Sequence, residues 1–80
     1  MNTANFFQDL SSGALTEVVG AVRYFDDVVR GLTAKQQFFI YPDNTVVSVV
    51  TCDGSASVQE LDEEDSSIFR HYNKEYFYAN

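Results

Sequence analysis

The chain has 80 residues, 45% of them hydrophobic and 15% aromatic, with 12 Asp and Glu against 5 Lys and Arg for a net charge of −7. This composition excludes a disordered chain, and its single cysteine, Cys52, excludes a scaffold held by internal disulfides. The acidic excess disfavours direct contact with nucleic acid or an anionic membrane and suits a basic partner.

Eighty residues make one small acidic domain, 1–80. No run approaches the ~18 apolar residues that cross a bilayer. Residues 1–9 carry neither a basic segment nor a long apolar one, so no signal peptide is expected. With a lone cysteine, the expected location is the cytoplasm of the producing or host cell.

Residues 3–11 read as a short helix with Phe6, Phe7 and Leu10 as apolar contacts. Ser11, Ser12 and Gly13 break it, and Ser12 or Gly13 is placed to cap a second helix. That second helix is predicted from Leu15, Val18, Val22, Phe25, Val29 and Leu32, which recur every three or four residues. Gly31 falls where a left-handed C-cap belongs. Gly20 costs roughly 1 kcal/mol relative to Ala inside such a helix.

The period then changes. Residues 36–41 read as a strand, and Pro42, Asp43 and Asn44 as a turn. Residues 45–52 are almost all β-branched and read as the strongest strand. Asp53 and Gly54 fit a type I′ hairpin that returns into a third strand over residues 55–60. After the acidic run, Ile68, Phe69, Tyr72 and Tyr76 fit one helical face, with Asp62 or Asp65 as cap. The aromatic density of residues 66–78 also fits a strand. The expected fold is α+β: a three-stranded antiparallel meander packed against the amphipathic helix, in the order α-α-β-β-β-α with the last element helix or strand.

Two features are candidate partner-binding surfaces. One is the run Glu60, Asp62, Glu63, Glu64 and Asp65, with Glu17, Asp26 and Asp27 extending its field. Carboxylates spaced along an edge can imitate phosphates in a basic groove. The same acids also suit a solvated corner that stabilises a helix N-terminus. The other is the C-terminal aromatic group, of which Tyr72, Tyr76 and Tyr78 suit an interface and equally suit a tail wrapped over the sheet.

Catalytic and metal chemistry find no pattern. The acidic run lacks the alternation and glycine of a calcium loop. Cys52 and His71 are single residues without an orienting group adjacent in sequence. There is no G-x-S-x-G elbow and no phosphate loop. No catalytic residue, metal ligand or cofactor is therefore expected.

The expected function is a non-enzymatic inhibitor or adaptor that binds a basic protein, a nucleic-acid-binding protein or a toxin. In size and charge alone the chain is similar to small phage-encoded inhibitors of host nucleic-acid machinery, such as anti-CRISPR and anti-restriction proteins, and to immunity proteins. That similarity would imply nucleic-acid mimicry without carrying over any residue. The alternative is a homo-oligomeric structural or accessory subunit, a homodimer for example. It would pair through an edge strand at residues 38–41 or through the C-terminal aromatics.

Overall fold

The computed structural model describes residues 3–27 and 30–77, and of Thr3, Ala4 and Asp27 the backbone alone. Helix α1 is Thr3–Ser11, and strands β1 and β2 are Thr16–Glu17 and Arg23–Asp27. Strands β3, β4 and β5 are Leu32–Ile40, Val46–Cys52 and Ser55–Glu60, and helix α2 is Glu63–Tyr72. A 3₁₀ turn, Val19–Ala21, separates β1 from β2, and another, Lys74–Tyr76, follows α2. The fold is α+β, with one antiparallel sheet and a helix towards the C-terminus.

The predicted meander is present as β3-β4-β5. Its turns use the expected chemistry. Asn44 takes a φ of 71° between β3 and β4, while Asp53 and Gly54 take 50° and 79° between β4 and β5. Two successive left-handed residues are the type I′ pattern that matches strand twist.

The predicted helix over residues 15–32 is replaced by extended structure. Glu17 pairs with Phe39, and Arg23 to Asp27 pair with Gln36 to Leu32. Residues 16–27 form one edge of the sheet, stepped at Val19–Ala21. Three causes favour the sheet. Val18, Val19 and Val22 are β-branched and stiff in a helix. Gly20 weakens a helix interior. The edge of β3 offers a row of backbone partners that a helix would leave open. Among the described residues of the proposed stripe only Val18 is fully buried, and Phe25 is 46% exposed. Val29 lies outside the described residues. Gly31 does take a left-handed φ of 66°, in the β2–β3 turn instead of at a helix end.

Gly13 closes α1 and caps no following helix. Its φ is 80°, and the Ala14 amide donates to the Asp9 carbonyl while the Gly13 amide donates to that of Leu10. These two bonds form a Schellman motif, and its left-handed residue is easiest for glycine.

The helices cover opposite faces of the sheet. On one face Phe6 of α1 packs with Phe39, Val47 and Val49, its ring 5.4 Å from that of Phe39. On the other, Phe69 of α2 and the following Tyr76 and Phe77 pack on Val18, Phe38, Ile40 and Val46. The Phe38 and Phe69 rings lie 4.8 Å apart. Phe69 and the segment after α2 thus cover the second of the two core clusters. Both clusters sit on the half of the sheet nearest the β3–β4 turn. The other half, where β2 lies, extends beyond them in a molecule 44 × 27 × 21 Å.

Candidate functional site

The acidic run is divided between two tasks. Asp62 is the N-cap of α2, its Oδ1 accepting from the Asp65 amide at 2.8 Å. Glu63, Glu64 and Asp65 fill the first turn, where the helix dipole favours negative charge. Glu63 also reaches Arg70 at 3.6 Å, although it is 94% exposed. Such a pair adds little to stability in water.

Towards the β3–β4 turn the sheet carries further acids that are distant in sequence, spread over both of its edges. A cross-strand row runs Glu17, Phe39, Val47, Glu60, so two glutamates stand at the ends of one row. Asp9 accepts from the Tyr41 hydroxyl at 3.0 Å. Asp43 lies in the β3–β4 turn and accepts from the Thr45 amide at 3.0 Å. Hydrogen bonds from Thr45 hold the Asp43 carboxyl below its ordinary range. Burial first, then the hydrogen bond to Asp9 and the charges of Asp9, Asp43 and Glu60, push the Tyr41 phenol above its ordinary value. Three carboxylates thus act on one phenol. Asp43, Glu60, Asp62 and Glu63 line a notch of about 420 Å³, with Arg70 at its wall.

Asp26 and Asp27 do not join this group. Asp26 pairs with Thr33, six residues along β3 from the Glu17–Glu60 row, which is about 20 Å at ~3.3 Å per residue. Its carboxylate accepts from the Thr33 hydroxyl at 3.1 Å.

The aromatic candidates separate as well. Tyr72 ends α2 and is 77% exposed, whereas Tyr76 is half-buried against the core. Tyr78 lies outside the described residues. Glu64, Ile68 and Tyr72 follow one another at spacings of four and share a helix stripe. Ile68 is 51% exposed, so the outer side of α2 is acidic at its start and apolar at its end. Asp65, Ile68, Phe69 and Tyr72 form one wall of a groove of about 380 Å³, with Ala21, Arg23, Gln36 and Phe38 opposite.

The roles of Asp9 and Asp43 were not apparent from sequence, because both reach the acidic end through tertiary contacts. The sequence places Asp43 in the turn with Pro42 and Asn44, as observed, but does not show that the turn lies beside Glu60 and Asp62.

Cys52 ends β4 opposite Ala34 and Ser55, while His71 lies on α2 with its ring edge-on to Tyr72. Among the described residues no three His, Cys, Asp or Glu side chains are grouped to hold a metal ion, and no helix is long and apolar enough to cross a membrane. No family model, curated protein or solved structure matches this chain.

Proposed function

We propose that this is a non-enzymatic binding protein, an inhibitor or adaptor, that docks a basic protein through α2 and the acidic end of the sheet. The observation that carries the reading is the outer stripe of α2, where Glu64 precedes exposed Ile68 and Tyr72 on one line. Carboxylates there and at Asp9, Glu17, Asp43 and Glu60 steer a cationic partner, and the isoleucine and tyrosine give it apolar anchorage. A partner with a phosphate-binding groove, such as a nucleic-acid-binding protein or a toxin, has the matching charge. Occupying that groove is how a phage-type inhibitor of host nucleic-acid machinery or an immunity protein would act.

The test compares wild type with Glu60→Lys/Glu64→Lys and with Ile68→Ser as baits in a host-cell lysate, at low and high salt. Neither glutamate caps the helix, so folding is kept. A basic protein captured by wild type at low salt should be lost with the charge variant and weakened with Ile68→Ser. Equal capture by all three baits would refute the reading.

A further inference from the structure

We propose that β2 is a self-association edge, through which two copies join their sheets about a two-fold axis at Phe25. The hydrogen-bond pattern shows which groups are free to do so. The Phe38 carbonyl accepts from the Val18 amide, so even-numbered residues of β3 turn their backbone groups towards this edge. The register is unbroken along β3, and Gln36, Ala34 and Leu32 face Arg23, Phe25 and Asp27. Those three positions of β2 are therefore bound inward. Tyr24 and Asp26 turn their amides and carbonyls outward, where no further strand pairs with β2 among the described residues.

The sequence of β2 is complementary to itself when run antiparallel. With the axis at Phe25, Tyr24 of each copy falls opposite Asp26 of the other, and these are the positions with outward backbone groups. Phe25 meets its own copy at a site without ladder hydrogen bonds, where side chains approach most closely. In this register Arg23 falls opposite Asp27 of the other copy, residues of opposite formal charge. An axis at Asp26 would instead set two aspartates against each other.

Exposure and charge agree with this partner. Tyr24 is 68% and Phe25 46% exposed on the half of the sheet that neither helix covers. The opposite edge, β5, carries Ser55, Ala56 and Ser57 there and has little apolar surface to bury. The antiparallel arrangement also sends the two acidic ends in opposite directions, so their repulsion does not oppose pairing.

Sedimentation velocity from micromolar to millimolar protein provides the test. Wild type should move from monomer to dimer, and Phe25→Arg should weaken the dimer by about tenfold or more, as loss of a central aromatic does. Arg23→Asp should also weaken it, and the double variant Arg23→Asp/Asp27→Arg should restore it. On a Cys52→Ser background, Phe25→Cys should give a disulfide-linked dimer on mild oxidation. Tyr24→Cys should not, because residue 24 faces residue 26 of its partner. A wild type that stays monomeric, or a dimer indifferent to Phe25→Arg and to the charge swap, would overturn the proposal.

Discussion

Asp62 shows how a residue in an apparent charge run can have a local task. Its side chain satisfies the Asp65 amide and its carbonyl accepts from Ser66, so it fixes where α2 begins. Asp62→Ala should cost about 1 kcal/mol in denaturant unfolding, the usual effect of losing an N-cap. Glu64→Ala, which removes no cap, should change stability by less than ~0.5 kcal/mol.

Tyr41 and Asp43 give stability opposite pH dependences. The Tyr41 phenol is raised in the fold, so its contribution is complete below its ordinary value of 10.0 and is lost as pH rises through the folded value. Tyr41→Phe should therefore destabilise at neutral pH by about 0.5–1.5 kcal/mol, the worth of one hydrogen bond. The gap should close in alkali. The Asp43 carboxyl is lowered, so its contribution is present above its ordinary 3.8 and is lost as pH falls through the folded value. The melting temperature of Asp43→Ala should lie below that of wild type at pH 7 and converge with it in acid.

At the scale of elements, Phe6 is the clearest hinge of stability. It is fully buried and, among the described side chains of α1, is the one buried against its face of the sheet. Phe6→Ala should cost about 3–5 kcal/mol, a large part of what a domain this small possesses. A loss below ~1 kcal/mol would mean that α1 is not the cover of that face.

What could be read in advance follows the range of the interactions. The β3-β4-β5 meander was legible because β-branched runs and the Asp53-Gly54 turn act locally. The start of α2 was legible from its capping chemistry. Residues 15–32 were not. Their apolar spacing satisfies a helical period, but pairing with β3 is decided by residues up to 24 positions away, as for Thr16 and Ile40. The α1 and α2 covers thus take the place of the expected central helix. The expected free edge at residues 38–41 is interior, since Phe39 and Ile40 are paired on both sides. The site was legible in part. The run at 60–65 was plain in sequence, but its union with Asp9 and Asp43 and its separation from Asp26 depend on strand register.

For the whole molecule, the sheet separates two kinds of surface. Asp9, Glu17, Asp43 and the acids of residues 60–65 gather at the β3–β4 turn. Towards the other end the formal charges of Arg23, Arg30 and Lys35 offset those of Asp26, Asp27 and Asp53. A partner with a positive groove would meet one end and a second copy the other, the two contacts adjoining at the groove that Tyr72 and Arg23 line. In the proposed function, binding is driven by the acidic end and anchored by α2. The most direct measurement of this is the affinity of a captured basic partner, titrated over a salt series against wild type and Glu60→Lys/Glu64→Lys. Affinity for wild type should fall steeply with salt, and the variant should bind more weakly with a flatter dependence. Superimposable salt curves for the two proteins would show that the acidic end does not drive binding.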